Sequence, residues 1–343
     1  MNDRKYAAID LHANNLVCVV TDEQDRVVRR RKLAPDLAAV LAFFEPFRAE
    51  LSAVAVESTY NWYWLVDGLQ AANWPVKLAH PGAIEPYAGQ KHRDDKTDAR
   101  HLCRLQRLND LPTGYIYPAS QRPVRDLLRR RRLFVGQHTA QVLSLQGLFS
   151  RQTGQRQCHA FAQIQGYDKA ALRRLLGDEH SVYVAQEQLA TCHFLETRIA
   201  KLTARALAEG RPTAVYPRLL TLPGVGPILG LTILYETGEL GRFRRGGNFA
   251  SYCRLVPAAS YSNGRRKGRN NSRNGNAYLA WAFVEAANIA IRRPGPVQDF
   301  FNRKLRQHGL RVLAIKATAA KLARAAYFIM RDQVDFQMSK AFG

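Results

Sequence analysis

No two of the five cysteines, Cys18, Cys103, Cys158, Cys192 and Cys253, stand in a C-x-x-C spacing. Scattered and odd in number, they exclude a disulfide framework and a cysteine zinc site, and read as reduced thiols of a cytoplasmic protein. No uninterrupted apolar run is long enough to cross a bilayer, so no membrane partner is expected. The N-terminus, Met1-Asn2-Asp3-Arg4-Lys5, enters a strand-like segment without the apolar stretch of a signal peptide. The real shortage is of acids: 28 Asp and Glu stand against 51 Lys and Arg, a formal net charge of +23 in 343 residues. Such an excess must find counter-charge, and nucleic acid is its commonest source. A hydrophobic content of 46% with 10% aromatic residues excludes a disordered basic tail, and the length allows two domains with a helical insert.

Against that shortage, the placement of four acids carries information. Asp10 closes the apolar run Tyr6-Ala7-Ala8-Ile9, and Glu57 closes Ala53-Val54-Ala55-Val56. Asp95 and Asp98 stand three residues apart in a polar stretch, and so share one face of any helix there. A single acid at a strand end is usually a surface residue or a helix cap. Four in this arrangement, in so basic a chain, point to a hard cation. Carboxylates without histidine or cysteine suit Mg²⁺, with Mn²⁺ as the alternative. Two such ions ~3.5–4 Å apart would neutralise a scissile phosphate and steady its entering and leaving oxygens.

Short β-rich runs over residues 6–11, 16–21 and 26–33 are followed by a helix from Pro35-Asp36 to residue 50. A strand over 51–57, a helix over 61–72 and a strand over 76–79 come next. This β-β-β-α-β-α-β order with a helix after it is that of the ribonuclease H-like fold.

From Arg122 the pattern turns to long helices. Arg129, Arg130, Arg131 and Arg132 read as a solvated, phosphate-contacting face ahead of a helical run over 133–149. Residues 181–210 place Ala185, Leu189, Cys192, Leu195, Ile199, Leu202 and Ala206 at intervals of three and four. That coiled-coil seam serves either oligomerisation or packing within its own domain. Further on, Leu222-Pro223-Gly224-Val225-Gly226 precedes an apolar helix over 228–237. It is either a helix-hairpin-helix turn, with the amides around Gly224 and Gly226 holding a backbone phosphate, or a glycine-permitted tight turn between core helices. Residues 260–275 lack apolar periodicity and read as a loop, in which Arg265, Arg266, Lys267, Arg269 and Arg273 would clamp phosphates. Helices follow over 277–291 and 311–331.

Several of these pieces carry a resemblance. Ala8-Ile9-Asp10, Ala55-Val56-Glu57-Ser58-Thr59, Asp95-Lys96-Thr97-Asp98-Ala99-Arg100, Leu222-Pro223-Gly224-Val225-Gly226, Phe249-Ala250 and Leu255-Val256-Pro257 occur in one order. In these the chain resembles the DEDD insertion-sequence transposases, a group of bridge-RNA-guided recombinases whose N-terminal part is similar to the Holliday-junction resolvase RuvC. The resemblance implies an α/β plus α protein. A RuvC/ribonuclease H-like catalytic domain would occupy 1–155, a helical coiled-coil segment 156–212, and a mostly helical C-terminal transposase domain 213–343.

It also implies that Asp10, Glu57, Asp95 and Asp98 bind divalent metal and that a serine attacks DNA, leaving a covalent phosphoserine link. The serine falls on Ser262, five residues after Pro257. Family members often have Ser-Gly or Ser-Ser-Gly there, whereas this chain has Ser262-Asn263-Gly264, so Ser260 is the rival and Ser272 a distant third. No His, Asp or Glu stands in residues 260–275, which assigns activation of the hydroxyl to the acid site. The implied partners are donor and target DNA, a structured guide RNA and further copies of the chain in a homodimer or homotetramer. Two other readings remain: a metal-dependent junction nuclease that uses water, and a non-enzymatic nucleic-acid-binding protein with structural acids.

Overall fold

Strands β1 (Lys5–Leu11) and β2 (Leu16–Thr21) are apolar on both faces because both faces are covered. This is a computed structural model that describes residues 4–84, 95–154, 160–210, 213–256, 261–262, 265–266 and 274–343. The chain divides into two units, Met1–Ala119 and Ser120–Gly343.

In the first unit, β3 (Val27–Leu33), α1 (Leu37–Phe44), β4 (Leu51–Glu57), α2 (Tyr63–Ala71), β5 (Val76–Ala79) and α3 (Asp95–Arg107) follow β1 and β2. The sheet order is β3-β2-β1-β4-β5. β1 pairs antiparallel with β2 and parallel with β4, and β4 pairs parallel with β5. The expected α/β order of the ribonuclease H-like fold is present. Ala7, Ile9, Leu11, Val54 and Val56 share one core with Val40, Phe43 and Phe44 of α1 and Leu65 and Leu69 of α2. Tyr6, Ala8 and Ala55 pack instead with Ala99, Leu102 and Cys103 of α3. Alternation along the strands therefore assigns even positions of β1 and odd positions of β4 to the α3 side. Gln106, 4% exposed, ties α3 down by donating from Nε2 to the Ala53 carbonyl at 2.9 Å. The basic edge strand β3 is mostly exposed, a charge pattern that discourages further strand addition. The expected helix to residue 50 ends earlier: α1 stops at Phe44 and a 3₁₀ turn with Pro46 follows, because proline cannot continue an α-helical ladder.

The second unit is helical. It holds α4 (Arg122–Thr153), α5 (Phe161–Gln165), α6 (Lys169–Leu176), α7 (Glu179–Glu209), α8 (Val215–Leu219), α9 (Pro227–Thr237), α10 (Gly246–Tyr252), α11 (Ala277–Ala290), α12 (Pro296–His308), α13 (Arg311–Asp332) and α14 (Met338–Phe342). Two two-residue strands, β6 (Tyr261–Ser262) and β7 (Arg265–Arg266), lie within the segment expected to be loop throughout. They correct that reading, and their signal, Asn263-Gly264 between two short runs, stands in the sequence. α4 and α7 run antiparallel, joined from Arg131 Nε to Thr203 Oγ1 at one end and from Gln152 Nε2 to Ser181 Oγ at the other. Ala185 and Leu189 of the seam pack there against Leu145, Leu148 and Phe149, and Ala206 against Leu128. These seam residues are thus packed within their own unit. Among the described residues no helix is long and apolar enough to cross a membrane.

The main core of this unit joins α9, α10, α11, α12 and α13. Gly224, in the turn before α9, has φ +78°, and a Cβ there would meet the Ala286 carbonyl oxygen of α11 at 2.0 Å. A Cβ on Gly226 would meet nothing within 4 Å. The geometry at Gly224 is that of a tight turn pressed onto a core helix. Gly224→Ala is expected to destabilise the chain by at least ~2 kcal/mol through strain and overlap. Gly226→Ala should change stability by under ~1 kcal/mol. Urea unfolding of both variants checks this, and equal shifts would contradict it.

Candidate active site

Asp10 is the penultimate residue of β1, on the α3 side at the same parity as Ala8, and Glu57 ends β4 at the same parity as Ala55. The parallel register pairs Ala8 with Ala55 and Ile9 with Val56, so the next step sets Asp10 beside Glu57. Both stand at the carboxyl ends of neighbouring parallel strands, where ligands of open α/β sheets bind. Asp10 is 2% exposed, and its carboxyl is hydrogen-bonded to that of Glu57. Burial, the bond to Asp10, and the charges of Asp10 and Asp98 push the Glu57 pKa up to about 7, with His12 opposing them. His12 Nε2 lies 3.0 Å from Asp10 Oδ2. Asn61 Nδ2 donates to the His12 carbonyl at 3.2 Å, fastening the exit of β4 to the β1–β2 turn.

Asp98 sits exposed on the first turn of α3, and Asp95 begins the same helix with its side chain outside the described residues. Among the described residues no three His, Cys, Asp or Glu side chains stand at metal-binding spacing. What the fold brings together is the Asp10–Glu57 pair, with Asp98 near enough to repel it. Hard oxygen donors crowded in a half-buried site suit a divalent cation, whose charge would relieve the repulsion. In the sequence His12 shows no ligand spacing, and Asn61 does not stand out. The signal for His12 was its position two residues beyond a strand-ending acid.

In the second unit, Ser262 lies on β6 opposite Arg265 of β7, which is exposed. The side chains of Ser262 and Arg266, and Ser260, Lys267, Arg269, Ser272 and Arg273 entirely, fall outside the described residues. The arginine block corrects its expected form as a solvated face. Arg129 bonds Glu236, Arg131 donates to Thr203 Oγ1 at 2.7 Å, and Arg132 stacks on Tyr278 and Trp281 at 5.4 and 5.1 Å. Only Arg130 of the four is exposed. Successive helical residues turn by ~100°, so four in a row cannot share a face. Gly224 lies against the backbone of α11, and Gly226 caps α9 with its Cα side open.

Comparison with known proteins adds a family. A family model described as "Transposase IS116/IS110/IS902 family" matches residues 216–302, from α8 into α12. A second, described as "Transposase" and covering the DEDD domain of IS110 elements, matches residues 7–152, from β1 through most of α4. The chain is 28% identical to a "Probable family 20 transposase" of Pseudomonas aeruginosa, over 79% of this chain and 79% of that one. It is 21% identical to the "Transposase for insertion sequence element IS1111A" of Coxiella burnetii, covering 85% of this chain and 79% of the relative. With the "Transposase for insertion sequence element IS1328" of Yersinia enterocolitica it shares 23% identity over 80% and 83%.

The raised Glu57 pKa fixes the sign of a pH effect. Folded protein keeps a proton there up to about pH 7, whereas an ordinary glutamate loses it near 4.5. The folded state binds the extra proton in that window, so this group's stabilising contribution is full below 4.5 and lost as pH rises through about 7. In metal-free protein, Glu57→Gln should remove that decline. Thermal unfolding across the window checks this, and equal slopes in variant and wild type would contradict it.

Proposed function

Because this chain belongs to the IS110/IS116 family of insertion-sequence transposases, we propose that it recombines DNA through a covalent phosphoserine intermediate at sites chosen by a structured guide RNA. Asp10, Glu57, Asp95 and Asp98 hold a divalent cation, Mg²⁺ or Mn²⁺, and Ser262 is the nucleophile. The observation that carries the reading is the Asp10–Glu57 pair: two acids at adjacent parallel strand ends, one 2% exposed and the other pushed toward a neutral pKa by burial and its acid neighbours. Such crowding has a catalytic use where a phosphate and its counter-ions are handled. The family's DEDD domain over residues 7–152 supports the same four acids.

The residues divide the work. The Ser262 Oγ–phosphorus bond forms as the bond from phosphorus to the departing sugar oxygen breaks. The Ser262 hydroxyl gives up its proton as it attacks, and the departing sugar oxygen takes up a proton in its place, so the step is proton-neutral. One phosphodiester replaces another, so the freed sugar hydroxyl of a second strand can reverse the step and join without a nucleotide cofactor. A bound cation would supply charge neutralisation at the phosphate. His12 Nε2, 3.0 Å from Asp10 Oδ2, lines the same site. Arg265, Arg266, Lys267, Arg269 and Arg273 grip phosphates on either side of the serine, and exposed Arg130 adds a contact from α4. In this reading residues 1–155 are the metal-binding catalytic domain, 156–212 a helical spacer, and 213–343 the domain that carries the nucleophile. The chain works as a homodimer or homotetramer.

The test is a trapping experiment with full-length protein, Mg²⁺, guide RNA and matched DNA, followed by mass spectrometry of the modified peptide. The adduct is expected on Ser262, lost in Ser262→Ala, retained in Ser260→Ala, and reduced by ~10²-fold or more in Asp10→Asn. Free cleaved ends without an adduct would establish water as the nucleophile and overturn the proposal.

A further inference from the structure

Glu236, on the last turn of α9, is 1% exposed in a helix of otherwise mainly apolar character. A carboxylate so deeply placed is costly unless it is paired and hydrogen-bonded, and this one is both. Oε2 accepts from Arg125 Nε at 3.0 Å and from Arg129 Nη2 at 2.9 Å, while Oε1 accepts from Arg129 Nε at 2.5 Å. Burial pushes its pKa up, but the hydrogen bond from Arg129 and the charges of Arg125 and Arg129 outweigh this and hold it below the usual carboxylate range. Glu236 therefore stays anionic, with one more partner on Oε2: Asn276 Nδ2 donates to it at 2.7 Å.

Asn276 explains where this anchor leads. Its Oδ1 accepts from the amides of Tyr278 at 2.8 Å and Leu279 at 3.1 Å, capping α11. Its own amide donates to the Tyr252 carbonyl at 2.6 Å, at the end of α10. Beside it, Arg254 Nε donates to the Gly275 carbonyl at 3.0 Å. Gly275 has φ +96°, and a Cβ there would meet the Tyr252 oxygen at 2.3 Å, so this approach requires glycine. Tyr252 and Arg254 precede Ser262 in the chain, and Gly275 and Asn276 follow it. The two ends of the serine-bearing segment are thus drawn together, and the junction is fastened through Glu236 to α4. Tyr278, in the first turn of α11, lies under the guanidinium of Arg129 at 4.3 Å and reinforces the same attachment.

A buried ion pair is weak evidence for stability, since well-packed apolar residues often serve as well. Its place at this neck suggests a different use. We infer that Glu236 is a positioning residue for strand cleavage: clamped by Arg125 and Arg129, its carboxylate fixes Asn276 and so the base of the segment that presents Ser262. The inference rests on the reading of Ser262 as nucleophile. A rigid base holds the attacking hydroxyl near its productive geometry, and displacement by about 1 Å is enough to slow a reaction ~10²-fold.

The experiment compares full-length wild type, Glu236→Gln and Asn276→Ser with guide RNA, Mg²⁺ and DNA. Asn276→Ser keeps an α11 cap and both arginine pairs and removes only the donor to Glu236, so it remains informative if Glu236→Gln fails to fold. Both variants are expected to bind DNA within ~2-fold of wild type while the rate of Ser262 adduct formation at saturating DNA falls at least ~10-fold. Amide exchange at Asn276, Tyr278 and Leu279 should rise in both. Wild-type adduct rates in folded Asn276→Ser would overturn the inference and leave the nucleophile assignment standing. A wild type without a Ser262 adduct would instead overturn that assignment and the positioning role with it, while exchange at Asn276 would still decide whether Glu236 anchors the neck.

Discussion

The parallel pairing of β1 with β4 is the constraint on which the acid site depends. Each strand is apolar on both sides until its last residues, and each is sealed by α1 and α2 on one face and α3 on the other. That burial leaves one register available, because a one-residue slip would turn every side chain to the wrong face. The same register carries Asp10 and Glu57 to adjacent positions on the α3 side, where Asp98 adds its charge. The apolar sheet thus holds together two acids that would separate if they were free to do so.

Two carboxyls show how neighbours decide ionisation in this chain. Glu57 is half-buried among acids and its pKa rises to about 7. Glu236 is more deeply buried, yet two guanidiniums lower its pKa. The first arrangement stores repulsion that a cation or a proton relieves. The second is already compensated and serves as a rigid fastening. In a chain of net charge +23, arginine was available for either site. Its use at Glu236 marks that residue as structural support for a neighbouring function rather than as a titrating group.

What could be read from the sequence was what depends on short-range pattern. Apolar runs ending in Asp10 and Glu57 revealed two strand ends, and the three-residue spacing of Asp95 and Asp98 revealed a shared helix start. Features that depend on distant partners could not be read this way. Arg129 looked solvated because its partner Glu236 is more than a hundred residues further along the chain. Glu236 itself is one acid in an apolar helix, with no local sign of its arginines. α12 went unread although Gly295-Pro296 opens it, because its interior is polar apart from Val297, Phe300, Phe301 and Leu305. The seam in α7 was visible, but its partner in α4 was not, so packing within the chain and between chains looked alike.

The central claim is that Asp10 and Glu57 form a cation site whose repulsion the ion relieves. Calorimetric titration of Mg²⁺ into the full chain at about pH 6.5, in buffers of different ionisation enthalpy, measures this directly. Binding should expel up to about one proton, because the cation takes the place of the proton held near Glu57. That release should fade at about pH 9 and vanish in Glu57→Gln, and Mg²⁺ affinity should drop sharply in Asp10→Asn. Equal affinity in wild type and Asp10→Asn, with no proton released at either pH, would contradict the account.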